Sequence, residues 1–290
     1  MQSHCTGNIK ILAPAGDLLS LRTAVDCRAD EIYFGLKNFS ARRNANNFTE
    51  PDLADGAKYA HEHGVKLYAA FNTLVFDNEF SELRDSADIA AKYADGFIVQ
   101  DMGAASVLRE YGLPLHASTQ ATITSSFGVK YAADNGFSRA VLARELNKTQ
   151  LAEICSAARE LSIETEVFVL GAQCAGLSGQ CRFSAFFGGD KIRSANRGLC
   201  AQPCRLAFKG DDNKYALSAP DLYLLEHLAE LQSMGVTAAK IEGRMKSADY
   251  VRAAVIACVN ARDNTLGSGD IAALNKAFTR THGKGFRQSL

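Results

Sequence analysis

Short apolar, β-branched or aromatic runs alternate along this chain with longer stretches in which apolar residues recur every three or four positions. Runs of the first kind are what strands buried on both faces look like, and the second kind marks helices with one buried face. Ile9–Ala13, Glu31–Gly35, Lys66–Asn72, Phe97–Gln100, Leu115–Ser118, Arg139–Ala143, Glu164–Leu170 and Ala238–Ile241 read as eight strands. Between them Leu18–Cys27, a segment opening near Pro51, Glu79–Tyr93, Ala104–Tyr111, Ser125–Asn135, Lys148–Glu160 and Asp221–Met234 read as helices. Pro51 falls in a first helical turn, where its missing N–H does no harm. Ser247 reads as the N-cap of a last helix whose Val251, Ala254, Val255, Cys258 and Val259 share one face.

Eight strand–helix units with short connections predict an α/β fold, a (β/α)8 TIM-like barrel, as a single domain over residues 1–290. A doubly wound open sheet is the alternative, and eight units favour closure. One interruption breaks the rhythm. Over 171–216 Gly, Cys, Arg, Asn and Ser dominate, which predicts a cysteine-rich, cluster-binding insertion after the seventh strand. Phe183, Phe186, Phe187, Leu199, Leu206 and Phe208 within it speak against disorder.

Composition adds exclusions. Of 290 residues 47% are hydrophobic, enough for a large core, and Lys+Arg balance Asp+Glu at 32 each. No global field therefore advertises a nucleic-acid or membrane partner. No apolar run approaches the ~20 residues of a membrane span, and the opening MQSHCTGNIK has no apolar leader core. The expectation is a soluble, cytoplasmic protein with no membrane span. Eight cysteines in a reducing compartment point to metal or redox chemistry rather than disulfides.

Four of those cysteines, Cys174, Cys181, Cys200 and Cys204, fall within 31 residues as C-x6-C-x18-C-x3-C. Four soft thiolates on a folded loop suit an iron–sulfur cluster or tetrahedral zinc. Structural zinc sites pair cysteines closely in both halves, whereas here only the second pair is close, so the spacing favours iron–sulfur and leaves zinc and a non-metal role open. Cys27, Cys155 and Cys258 lie on apolar helix faces and read as small buried hydrophobes, and Cys5 lies in the N-terminal segment.

These residues carry a resemblance. Glu166–Cys174 followed by Ser178–Ser184, then Ala195–Arg205, Lys240–Lys246, Leu12–Gly16 and His116–Gln120, together resemble the collagenase-like peptidase family, the U-thirty-two group, across roughly residues 9 to 286. Despite that label, the better understood members are similar to 5-hydroxycytidine synthases of 23S rRNA, 5-hydroxyuridine synthases of tRNA and an oxygen-independent ubiquinone hydroxylation pair. The wording of Asn196–Arg205 is most like the rRNA branch. The resemblance implies a 4Fe–4S cluster held by Cys174, Cys181, Cys200 and Cys204, with prephenate as a possible co-substrate. Some relatives carry a cysteine where Tyr223 stands here, which makes Cys204 the fourth ligand. The rRNA-branch proteins are longer, and Phe278–Phe286 resembles the lead into further family sequence.

Barrels converge their chemistry at the C-terminal ends of the strands. The polar groups expected there are Asn72, Gln100, Asp101, His116 with Ser118 and Gln120, Arg144 with Glu145, and Glu242 with Arg244. His116, Arg144, Glu145, Glu242 and Arg244 form the candidate catalytic set, with the cysteine loop as a lid and Arg144 and Arg244 clamping a small-molecule carboxylate. Each has a plainer reading. Asp101 can simply cap the next helix, His116 can satisfy neighbours, and the two Arg/Glu couples can be structural ion pairs. From Arg182 to Lys214 seven cations (Arg182, Lys191, Arg193, Arg197, Arg205, Lys209, Lys214) face Asp190, Asp211 and Asp212. With Phe183, Phe186 and Phe187 beside them, that segment is a candidate RNA contact, rRNA or tRNA. The alternative is a solvated loop with its aromatics packed inward.

The leading functional reading is an iron–sulfur-dependent RNA pyrimidine hydroxylase. A collagenase-like peptidase is the runner-up, although neither G-x-S-x-G nor H-E-x-x-H is present. A third reading is an accessory or assembly protein for ubiquinone hydroxylation.

Overall fold

The computed structural model describes residues 7–42, 45–187, 193–208 and 215–278, with the backbone of 282–283. In chain order the elements are β1 (Lys10–Pro14), α1 (Leu18–Asp26), β2 (Glu31–Phe34), α2 (Glu50–Glu62), β3 (Lys66–Phe71), α3 (Phe80–Ala90), β4 (Gly96–Val99), α4 (Met102–Leu108), β5 (Leu115–Ala117), α5 (Ser126–Asp134), β6 (Arg139–Val141), α6 (Lys148–Glu160) and β7 (Glu164–Gly171). There follow α7 (Phe183–Phe187), β8 (Asp221–Tyr223), α8 (Leu228–Met234), β9 (Ala238–Ile241), α9 (Ala248–Arg262), α10 (Ser268–Ala277) and β10 (His282–Gly283).

Each of β1 to β6 pairs in parallel with the next, and β9 pairs in parallel with both β7 and β1. Eight parallel strands therefore close on themselves, and the (β/α)8 reading holds. Side-chain caps start the helices where the sequence provides them. Asp17, Thr49, Asp101, Ser125, Asn147 and Ser247 each accept a hydrogen bond from a backbone N–H of the first turn. Asp101 is thus a cap, as its plainer reading had it.

Asp221–Met234 differs from the helix expected there. Its first residues form β8, antiparallel to the end of β7, and helix begins only at Leu228. The reason lies in β7, whose eight residues outrun the three of β6 and leave main-chain groups open at Leu170–Gly171. Leu222 and Tyr223 pair with that overhang, and the Leu224 N–H donates to the Val169 carbonyl at 2.9 Å.

Strand alternation divides the interior in two. Ile11, Ile32, Phe34, Leu67, Phe71, Phe97 and Val99 face the helices in one continuous apolar shell. Leu12, Tyr33, Tyr68 and Ile98 form a separate cluster inside the barrel. A network of buried charges occupies the same lumen. Arg139, only 1% exposed, reaches Glu31 (2.6 and 2.9 Å), Glu166 (3.2 Å) and Glu164 (2.7 Å), and Lys240 Nζ lies 2.7 Å from Glu166. Burial works against the charged form of Arg139, yet Glu31, Glu166 and Glu164 outweigh it and raise its pKa. Charged side chains inside strand runs, at i and i+2 in Glu164 and Glu166, are the sequence signal of this network.

Candidate functional site

The insertion leaves β7 at Gly171 and crosses the mouth of the barrel, tied to several βα loops. On one side Thr122 Oγ1 donates to the Ser178 carbonyl at 2.7 Å, and the Glu145 carboxylate accepts from the Ser178 N–H (2.8 Å) and hydroxyl (3.0 and 3.1 Å). On the other side the Leu74 N–H donates to the Asn196 carbonyl, and Arg197 grips Glu79 with two donors at 2.6 and 2.5 Å while stacking over Phe76. Arg205 closes the base of the insertion through the Gln173 and Ala219 carbonyls and Ser218. Gly179 has φ +72 and lies so near the Gln120 carbonyl that a Cβ would stand 2.0 Å from its oxygen. Only glycine lets the turn sit this low.

Beneath the insertion is a cavity of about 1300 Å³. Among the described residues Cys174, Cys200 and Cys204 line it, together with Arg42, Arg144, Arg193, Arg205 and Lys246 against a single carboxylate, Glu242. Cys181 lies against Gly176, where an added Cβ would come within 3.0 Å of its sulfur. The four thiols are free and half-buried. Burial pushes the Cys204 thiol up, Arg205 opposes it, and Cys174, Cys200 and Cys181 each push it further, so the other three sulfurs lie within electrostatic reach of Cys204. The Gln202 N–H donates to Cys200 Sγ at 3.4 Å. Among the described residues no three His, Cys, Asp or Glu groups are drawn into a ligand-spaced cluster.

The expected polar set is brought together only in part. Arg144 lines the cavity, held lightly by Ser178 Oγ (3.3 Å) and the Gly176 carbonyl (3.4 Å), with no carboxylate at ion-pair distance among the described residues. Glu145 does not pair with it and binds Ser178 instead. Glu242 also lines the cavity, but its ion-pair partner is Arg42 at 2.9 Å rather than Arg244. Arg42 was absent from the sequence-derived set, although it stands in the polar stretch 38–48. Glu242 raises the Arg42 pKa.

Two expectations need correction. Arg244 is 3% exposed and turns beneath the loop after β2, donating to Ser40 Oγ at 2.5 Å, with its guanidinium 5.8 Å from the Tyr33 ring centre. Burial lowers its pKa to about 10. It does not line the cavity. His116 is 3% exposed inside the barrel, its ring 4.4 Å from that of Tyr68. Burial, with Arg139 and Lys240 adding, drives its pKa well below the ordinary value, and its Nδ1 has no hydrogen-bond partner. Period-two alternation turns its side chain to the lumen, under the mouth rather than into it. The clamp of His116, Arg144 and Arg244 across the mouth is therefore not formed.

Of the ten charges counted from Arg182 to Lys214, Asp190, Lys191, Lys209, Asp211, Asp212 and Lys214 lie outside the described residues. The aromatics of that segment do not all pack inward. Phe186 and Phe187 stand 82% and 62% exposed.

Comparison with known proteins follows this geometry. The family model described as Peptidase family U32 matches residues 16–289. An uncharacterized protease of Methanocaldococcus jannaschii is 36% identical over 96% of this chain and 72% of its own length. The 23S rRNA 5-hydroxycytidine C2501 synthase of Escherichia coli strain K12 is 38% identical over 84% of this chain, which spans 38% of that protein. The tRNA hydroxylation protein P1 of Bacillus subtilis strain 168 is 34% identical over 85% of this chain and 61% of that protein.

Proposed function

This chain belongs to peptidase family U32, and on that premise we propose that it is an enzyme of RNA hydroxylation acting on a pyrimidine of rRNA or tRNA. The observation that carries the proposal is the cavity at the barrel mouth, whose wall, among the described residues, combines three thiols of the cysteine insertion with five cations and one carboxylate. A redox-capable donor set beside an anion-binding wall suits a modified polynucleotide and a carboxylate co-substrate, and similarity to rRNA and tRNA hydroxylation proteins supports the same class.

The four thiols fit a 4Fe–4S cluster by their chemistry. They are soft and free, three of them act electrostatically on Cys204, and a backbone N–H is already directed at Cys200 Sγ. Cys174, Cys181, Cys200 and Cys204 would hold the cluster, which when bound supplies one-electron redox chemistry at the cavity wall. The chain's own residues bind and orient. Arg144, without a competing carboxylate, receives one carboxylate of a co-substrate such as prephenate through its planar fork, and Lys246 adds a point charge on the same wall. The Arg42–Glu242 pair fixes the opposite side. The insertion spans the mouth and limits water at the reacting base.

The peptidase reading receives less support. Among the described residues no histidine is hydrogen-bonded to a serine or cysteine, the couple that activates the nucleophile in Ser–His and Cys–His hydrolases. The test is nucleoside mass spectrometry of rRNA and tRNA from cells with and without the gene, complemented by the intact chain or by Cys200→Ser. Loss of a 5-hydroxypyrimidine, restored only by the intact chain, is the expected result. An unchanged modification profile beside failing quinone hydroxylation would reassign the substrate.

A further inference from the structure

The insertion carries an aromatic face that the cavity does not use. Of the fourteen large apolar side chains that stand exposed among the described residues, seven lie between Leu177 and Leu217. Two of them, Phe186 and Phe187, project from α7 with ring centres 5.3 Å apart, and Phe183 completes a run at 4.9 Å from Phe187. Both forgo in the isolated chain the stabilisation that a buried phenylalanine gives. The helix is not merely frayed. Its Ser184 is 2% exposed, accepts from the Ala201 N–H at 3.0 Å and lies 3.8 Å from Cys200 Sγ, so the inner side of α7 is fastened to the cavity wall. The outward set of the two rings is built in.

Charge identifies what covers them. Among the described residues the cavity wall behind α7 presents five cations against one carboxylate, and Arg182 stands exposed just before the helix. A partner with flat apolar faces and a regular negative charge matches both features, and single-stranded nucleic acid has them in every nucleotide. An apolar protein surface matches only the rings. We infer that α7 is a base-stacking step, on which Phe186 and Phe187 hold unpaired bases of an RNA single strand next to the nucleotide presented to the cavity. This rests on the RNA reading above and adds the surface that delivers the strand.

The test is fluorescence anisotropy with a labelled single-stranded oligoribonucleotide, the intact chain and three double variants at positions 186 and 187. Phe186→Ala with Phe187→Ala is expected to weaken binding about tenfold or more, the scale of a lost stacked base. Phe→Tyr at both positions keeps the π-faces and is expected to bind as the intact chain does. Phe→Leu keeps apolar bulk without a π-face and is expected to stay weak. The salt dependence of binding should be the same in all four proteins, because the rings touch no phosphate. Full binding by the Ala pair overturns the inference, and full binding by the Leu pair overturns it in favour of an apolar protein partner. If the intact chain binds no RNA, the RNA reading falls together with the inference. If it binds and the Ala pair binds equally, only the inference falls.

Discussion

The carboxylate of Glu145, on the loop after β6, holds Ser178 by both its N–H and its hydroxyl, at 2.8 and 3.0 Å. Ser178 is fully buried between Cys174 and Cys181, so this contact fixes the turn that carries the first two thiols to the rim of the barrel. Ser178→Ala removes the hydroxyl's bond to the carboxylate and the two it accepts from Arg144, and leaves part of the carboxylate unsatisfied, a loss of about 1–3 kcal/mol. The expected outcome is faster hydrogen exchange at residues 174–181 with little change in global unfolding. Uniform destabilisation of the whole barrel, with no local change, would contradict it.

Anaerobically purified protein should contain iron and inorganic sulfide. Cys181→Ser or Cys200→Ser should lose both, while Cys258→Ser, in the apolar face of α9, should keep them. Elemental analysis decides this, and stoichiometric zinc without iron would refute the cluster.

The two arginines expected to act together should behave differently. Arg144→Lys should weaken prephenate binding, measured calorimetrically, by about tenfold or more with an unchanged Tm, since an ammonium cannot reproduce the fork. Arg244→Lys should instead lower Tm, because the guanidinium is packed against Ser40 and away from the cavity. The reverse assignment would move the carboxylate site beneath the loop after β2.

His116 gives a pH signature. Its folded pKa lies well below 6.5, so below that pH the unfolded chain takes up a proton that the folded chain refuses. Its contribution is present above pH ~6.5 and is lost as pH falls, at up to about 1.4 kcal/mol per unit for one proton. Glu164, whose carboxyl is lowered by Arg139 and Lys10 against its burial, has its window below pH 4.5. Urea unfolding from pH 7 to 5 should therefore show a decline that His116→Gln flattens. Equal slopes in the two proteins would remove His116 as the cause.

Arg139→Met should be the most damaging of these changes. It strands Glu31 in the lumen without its main cation and leaves Glu166 with Lys240 alone, and uncompensated buried charge costs about 3–5 kcal/mol. Adding Glu31→Gln should recover part of the loss, as measured by denaturant unfolding. A loss below about 1 kcal/mol for the single change would mean that the network contributes little.

The chain itself determined the number of barrel strands, the cap at Ser247, the span of α6, and the insertion with its four cysteines. These are local matters, since periodicity, capping chemistry and ligand spacing lie within short windows. The tertiary structure decided where the polar residues of the strands point. In a barrel both faces of a strand are buried, so period-two alternation does not separate the helix side from the lumen. Only closure between β1 and β9 shows that His116 and Arg139 face inward. Closure likewise gives Glu242 to Arg42, about two hundred residues away, rather than to its neighbour Arg244. The overhang of β7 that recruits β8 depends on the shorter β6 beside it, a difference that appears only when the strands are laid together.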